Sequence, residues 1–272
     1  MLEKSTVAFV GAGVMAEAMI RGLSAKKLVD PSRIIASDVR GERGRELTGR
    51  YGISFTGDNA AAVKGADVVV LSVKPQSLPQ VMPDLIGRIP ERALVLSIIA
   101  GAKISAIAVG LAHAAIVRSM PNTPAQIGQG MAVWTASSSV REDQRAQAHE
   151  ILGALGMEVY VAEESFLDAA TALSGSGPAY VFLFLEALIE AGVQMGFSRP
   201  VSKQLVLQTA KGAVEYALSS SLELEQLRRQ VTSPGGTTAA AIRSFEEDGF
   251  GAVVSKAVRA AHKRSIELGR GQ

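Results

Sequence analysis

Two glycine-centred turns, far apart in a chain of 272 residues, hold most of the side chains and main-chain groups whose spacing suits chemistry. The first is Gly11-Ala12-Gly13-Val14-Met15-Ala16, preceded by the apolar run Thr6–Val10 and followed by a helical pattern over Met15–Ser24. A strand that turns on glycine into a helix presents unpaired N–H groups at the helix's positive end, which suits a diphosphate. Gly11 permits the tight turn and Gly13 a close approach by the ligand. Ala16, in place of a third glycine, still permits close helix–strand packing. The second turn is Ser233-Pro234-Gly235-Gly236-Thr237-Thr238, ahead of a helix beginning near Ala239. It suits a carboxylate or phosphate for the same reason. Capping by Thr237 or Thr238 would explain the threonines, but a simple cap needs no adjacent glycines. Ser174-Gly175-Ser176-Gly177-Pro178, leading into the next helix with Pro178 suited to its first turn, is likewise expected to present unpaired N–H groups to a carboxylate or phosphate.

Other residues extend the first turn into a dinucleotide site. Ser37-Asp38-Val39-Arg40 ends the next β-branched run, where an adenosine ribose would lie. Asp38 suits the ribose hydroxyls of NAD, whereas Arg40 and Arg43 suit the 2′-phosphate of NADP. A solvated helix start accounts for the arginines equally well, so both cofactors stay open. Val73-Lys74-Pro75-Gln76 closes a run so apolar that Lys74 must emerge at the sheet's carboxyl edge, facing either the cofactor or solvent before a turn-forming proline. Asn59 opens another helix and suits an N-cap.

Several chemistries are excluded by what is missing. There is no Gly-x-Ser-x-Gly and no carboxylate pair with a histidine, which argues against hydrolase and lyase mechanisms. The absence of cysteine removes disulfides, thiolate metal sites and cysteine nucleophiles, and His113, His149 and His262 fit no zinc spacing, so no metal is expected. Lys+Arg 28 against Asp+Glu 26 gives no electrostatic reason to expect nucleic acid or an anionic membrane as partner. No leader pattern is read near the start. The uncharged run Ala169–Leu185 contains Gly-Ser-Gly-Pro and falls short of the ~20 apolar residues of a span. A cytoplasmic protein acting on a small molecule is expected. Hydride transfer fits what remains, since it needs mostly positioning and one polar group at the developing amine or alkoxide.

The elements that must position these residues follow from periodicity. Strands are expected at Thr6–Val10, Arg33–Ser37, Val68–Val73, Leu94–Ile98, Ile116–Met120, Met131–Thr135 and Glu158–Val161, alternating with helices such as Gly41–Tyr51 and Arg141–Leu155. That alternation implies an α/β fold, a doubly wound parallel sheet over residues 1–162, followed by an all-helical domain over 163–272. Pro178–Met195 is apolar around most of its circumference, with only Glu186 and Glu190 charged, and a helical unit this small cannot cover it. Burial against a second copy of the chain is expected.

The chain resembles the pyrroline-5-carboxylate reductases through Val10-Gly11-Ala12-Gly13-Val14-Met15, Val73-Lys74-Pro75-Gln76, Met120-Pro121-Asn122-Thr123-Pro124, Leu173-Ser174-Gly175-Ser176-Gly177-Pro178-Ala179-Tyr180 and Val231-Thr232-Ser233-Pro234-Gly235-Gly236-Thr237-Thr238, which occur in the family's order. The resemblance implies a Rossmann-like domain followed by a helical dimerisation domain. It implies reduction of 1-pyrroline-5-carboxylate to L-proline with NADPH, or NADH as the alternative. It places the substrate carboxylate on Ser233, Gly235, Gly236 and Thr237, with Thr238 donating toward the ring nitrogen and Glu164 nearby. Gly11, Gly13, Val14, Met15, Ser37, Asn59, Lys74 and Ala100 are implied to contact the cofactor, and Asp38, Arg40, Val73 and Pro75 join them by position. An interleaved dimer is implied, and rings of dimers occur in the family. The chain also resembles β-hydroxyacid dehydrogenases in domain plan, but Val181 stands where those enzymes carry a catalytic lysine, so no base is left for a hydroxyl proton. A non-catalytic NADP-binding regulator is the third reading, and would need no carboxylate-binding loop.

Overall fold

The computed structural model describes residues 2–270. Eight strands, β1 (Val7–Val10), β2 (Ile34–Ser37), β3 (Ser54–Thr56), β4 (Val68–Leu71), β5 (Leu94–Ser97), β6 (Ile116–Pro121), β7 (Gly130–Ala136) and β8 (Gly156–Tyr160), form one sheet in the order β3-β2-β1-β4-β5-β6-β7-β8. Around them run α1 (Val14–Ala25), α2 (Gly41–Tyr51), α3 (Asn59–Val63), α4 (Leu78–Leu85), α5 (Ile104–Leu111) and α6 (Glu142–Gly153). Alternate residues of one strand feed two separate cores. Val7 and Phe9 of β1 pack with Met19 of α1 and Ile151, Leu152 and Leu155 on or just beyond α6, whereas Ala8 and Val10 pack with Leu78 and Leu85 of α4. A sheet buried on both faces needs apolar residues at every position, which is why these strands read as unbroken hydrophobic runs. Full burial of a side chain such as Phe9 stabilises the fold by roughly 1.5–3 kcal/mol.

Two features depart from the expected sheet. β3 is an additional strand, three residues long, whose Phe55 packs so closely on α2 that a Cβ on Gly44 would lie 2.1 Å from the ring. The sheet is also not wholly parallel, because β7 pairs with β6 antiparallel. The link between them is a short 3-10 turn, Thr123–Ile127, and a parallel return would require a crossover of a dozen residues or more.

Beyond the sheet come α7 (Phe166–Ala170), α8 (Gly177–Gln194), α9 (Arg199–Ser219), α10 (Leu224–Gln230), α11 (Thr237–Glu247) and α12 (Phe250–Arg270). The chain divides into two compact units, of which the second is Gly177–Ala260. That division lies later than the expected one at 162/163. Leu167 of α7 and Ala172 of the following π-helical turn, Thr171–Gly175, are buried in the first unit. The end of α12 belongs to that unit too, where Ser265 Oγ donates to Asp168 Oδ1 at 2.8 Å. In the second unit α8 and α9 form a helical hairpin, with Ser202 Oγ donating to Ile189 O at 2.7 Å beside Gly192. Little of α8 is covered: Val181 is 54% and Leu183 68% exposed. The helical run Phe166–Gln194, 29 residues, holds an 18-residue stretch of mean hydropathy 1.4, enough to cross a membrane by length and composition alone, a property that core helices of soluble proteins share.

Candidate active site

Strand order reverses between β1 and β4, and in open α/β sheets ligands bind in the crevice beyond the carboxyl ends of the strands at such a point. Gly11 leaves β1 with φ of 95°, and a Cβ there would lie 2.9 Å from the Ser72 carbonyl, so glycine is demanded twice over. Ser72 Oγ donates to Gly11 O at 2.7 Å and braces the turn. Gly13 is the N-cap of α1, with no side chain capping the helix, and a Cβ on it would meet nothing within 4 Å. An uncapped positive helix end facing open space is what a diphosphate requires, so the residues present fit a dinucleotide. Ala16 is fully buried and keeps α1 close to the sheet.

A cavity of about 350 Å³ opens here. Of the expected cofactor residues it brings together Gly11, Gly13, Ser37, Asp38, Arg40, Asn59, Val73 and Lys74, and it adds Ser72, Ser77 and Val81. Val14 borders a different hollow, beside Glu17 and Tyr51. Met15 packs against the core, Pro75 starts a 3-10 turn, and Ala100 lies beyond β5, so none of these lines this cavity. Asn59 is not the helix cap. Asp58 caps α3, accepting from the N–H groups of Ala60 and Ala61, which releases Asn59 to accept from Ser37 Oγ at 2.8 Å and donate to Asp84 at 3.2 Å. Asp38 accepts the Ala12 N–H at 2.9 Å and is paired with Arg40. Hydrogen bonds from the Arg40 side chain outweigh the opposing burial and, helped by the Ala12 N–H, lower its carboxyl to about 2.

Glu164, expected at the substrate, accepts both the Ile104 N–H at the start of α5 and Arg118 Nη1, each at 2.8 Å. Arg118 was not anticipated, although a charged residue inside the apolar run of β6 demands a partner. Asn122 also braces: its Nδ2 donates to Ser174 O at 3.1 Å while its Oδ1 accepts the Met131 N–H at 2.8 Å. The Ser174–Pro178 segment is therefore no open turn. Ser176 N–H is bonded to Thr171 O and Ser174 Oγ to Ala170 O, so helical structure leads up to α8 and the Ser176 N–H is not free for an anion.

In the second unit Gly235 has φ of 68°, a left-handed conformation that glycine adopts without strain. Gly236, rather than either threonine, is the N-cap of α11, and a Cβ on it would lie 2.4 Å from Ser233 Oγ. Thr237 and Thr238 become the first two helical residues, and α11 has no side-chain cap. Both glycines thus have a structural cause, and they leave a positive helix end with Thr238 in its first turn.

Residues 164–268 match the family described as pyrroline-5-carboxylate reductase dimerisation, and residues 6–101 match NADP oxidoreductase, coenzyme F420-dependent. The chain is 45% identical over 263 residues to a pyrroline-5-carboxylate reductase of Pseudomonas aeruginosa, covering 96% of both, and 42% identical to one from Synechocystis, covering 96% of this chain and 97% of that one. Among solved structures, the enzyme of Coxiella burnetii superposes with a TM-score of 0.92 at 38% identity, covering 98% of this chain and 99% of that one. The Plasmodium falciparum enzyme with NADP bound superposes with 0.89 at 31% identity, covering 99% and 100%. Similar to named relatives along nearly its whole length, the chain belongs to the pyrroline-5-carboxylate reductase family.

Proposed function

We propose that this protein reduces 1-pyrroline-5-carboxylate to L-proline with NAD(P)H, the last step of proline biosynthesis. The observation that carries the reading is that relatives named for this activity match both the dinucleotide-binding part and the helical part, over nearly their own full length. The domain division proposed with it is 1–162 and 163–272, close to where the dimerisation family begins at 164. The β-hydroxyacid alternative finds no support, since Val181 of α8 offers no base.

In this reading the uncapped end of α1 and Lys74 hold the cofactor, and a bound reduced nicotinamide supplies hydride. The loop Ser233–Thr237 holds the substrate carboxylate by main-chain N–H groups at the head of α11. Thr238 donates its hydroxyl hydrogen toward the ring nitrogen. Hydride adds to the carbon of the protonated imine, and the C=N electron pair becomes a lone pair on the nitrogen, which keeps its proton. The Thr238 hydroxyl donates to that developing lone pair. A neutral hydroxyl suits that nitrogen because it adds no charge beside a cationic ring. Fixing the carboxylate at one end and the nitrogen at the other leaves one approach for the reacting carbon.

The assembly proposed is at least an interleaved dimer, in which a second copy covers the exposed apolar surface of α8. The protein is proposed to be soluble and cytoplasmic, with neither nucleic acid nor membrane as partner. Mixing the purified protein with NADPH and pyrroline-5-carboxylate and following loss of the reduced cofactor tests the reaction. Stoichiometric formation of proline is expected, and no consumption would overturn it.

A further inference from the structure

Asp38 stands at the end of β2, where a carboxylate would ordinarily receive a ribose hydroxyl. Its acceptor positions are already taken. Oδ1 accepts the Arg40 main-chain N–H at 3.0 Å and Arg40 Nε at 2.9 Å, while Oδ2 accepts the Ala12 N–H and Arg40 Nη2, each at 2.9 Å. An ionised carboxylate offers about four acceptor sites, so a 2′-hydroxyl could be received only by displacing the guanidinium. The acid is covered and the base lies above it: the Asp38 side chain is 9% exposed and that of Arg40 61%. Asp38 engages one N–H of Nε and one of Nη2, which leaves Arg40 further donors of its rigid fork. Arg40 borders both the dinucleotide cavity and the adjoining hollow at the head of α2, where it is the N-cap and makes no side-chain cap bond. Arg43, the other arginine in reach, is spent on Ala12 O, Glu17 and Glu46.

We propose that Arg40 selects NADPH over NADH by binding the 2′-phosphate, and that Asp38 is its anchor rather than a receptor for the ribose. The proposal rests on reading the cleft as a dinucleotide site. Because the pair is neutral and Glu42 lies in the next turn, selection comes from directed N–H donors to phosphate oxygens and not from a long-range field.

The test is calorimetric titration with NADPH, NADH and the fragments 2′,5′-ADP and 5′-AMP, without pyrroline-5-carboxylate. Wild-type protein is expected to bind 2′,5′-ADP at least about tenfold more tightly than 5′-AMP. Arg40→Met should weaken NADPH and 2′,5′-ADP by about 10- to 100-fold, the range for a hydrogen bond to a charged group, and change NADH and 5′-AMP by less than about threefold. Arg40→Lys, which keeps the charge and loses the fork, should recover only part. Equal affinity of the two fragments for wild-type protein, or equal weakening of both dinucleotides by Arg40→Met, would overturn the assignment. Binding is read apart from turnover, so a protein that selects NADPH but fails to reduce the imine sinks only the proposed reaction. One that reduces the imine with Arg40→Met unaltered in selectivity sinks only this inference.

Discussion

Arg118 Nη1 donates to Glu164 Oε1 at 2.8 Å, and the same oxygen accepts the Ile104 N–H, so one carboxylate ties β6 to the start of α5 and to the segment leading into α7. The Arg118 side chain is 5% exposed and that of Glu164 30%. Removing the carboxylate leaves a nearly buried guanidinium without its counter-charge. Glu164→Ala is expected to cost about 2–4 kcal/mol of stability in urea unfolding, discounted for the exposed side of the pair. Arg118→Met should cost less, because it removes the buried charge itself. If Glu164→Ala unfolds at the wild-type midpoint, the pair is not structural.

Gly11 and Gly13 are two residues apart and fail differently. Gly11→Ala places a methyl group 2.9 Å from the Ser72 carbonyl in a left-handed backbone, and a loss of roughly 2–4 kcal/mol is expected together with loss of NADPH binding. Gly13→Ala meets no protein atom within 4 Å. Its unfolding free energy should move by less than about 1 kcal/mol, while NADPH affinity falls at least about tenfold as the methyl group takes ligand space. Equal effects of the two substitutions on stability would contradict this division of labour.

The contrast shows which parts of the site the sequence made legible. Gly11 and Gly13 could be found because local backbone needs impose a residue type at a fixed place after a strand, and Lys74 because it ends an apolar run at the sheet's carboxyl edge. Ser72 could not, because nothing local marks a serine that braces a turn more than sixty residues earlier. Arg118 announced its need for a partner but not that Glu164, 46 residues on, would meet it. Ser54–Thr56 is too short and too polar for an alternating signal and exists because Phe55 finds Gly44. The direction of β7 depended on loop length more than on its own residues. The apolar strands of the two cores were read within a residue or two at their ends, since burial on both faces leaves little freedom of composition.

The Asp38–Arg40 pair also fixes a pH dependence. The folded carboxyl titrates at about 2, below its ordinary 3.8, so the pair's contribution is full above about pH 4 and fades as pH falls toward 2. With Arg40 exposed, that contribution is under about 1 kcal/mol. Urea midpoints of wild type and Arg40→Met should therefore differ modestly at pH 6 and converge only as the pH falls to about 2 and below. A difference that grows on acidification would mean that Arg40 stabilises the fold by some route other than this carboxylate.

Thr238 lies in the first turn of α11 with no side chain capping that helix. If it donates to the ring nitrogen, Thr238→Ala should lower kcat/KM on the order of 100-fold, the smaller end of the loss from deleting one preorganised donor. Thr238→Ser keeps the hydroxyl and should return to within about tenfold of wild type. Steady-state kinetics with pyrroline-5-carboxylate check both. Wild-type rates for Thr238→Ala would remove the residue from the chemistry.

The exposed apolar surface of α8 must be covered by lipid or by protein, and its charges favour protein. A span over Phe166–Gln194 would carry Asp168, Glu186 and Glu190 into or near hydrocarbon, where each acid costs several kcal/mol or must give up its charge. Against a second copy the same acids can stay at the rim, and Glu190 already has a counter-charge in Arg199 of its own chain. Leu183→Glu puts a new charge at the most exposed of the large apolar positions on this helix. Wild-type protein should sediment at about twice the chain mass or more, and Leu183→Glu should shift it toward one chain, because an unpaired charge buried at an interface costs more than most contacts there return. Cofactor binding to the α/β unit should survive in the variant, separating lost assembly from lost folding. Wild-type protein that floats with lipid vesicles and never self-associates would reverse the choice.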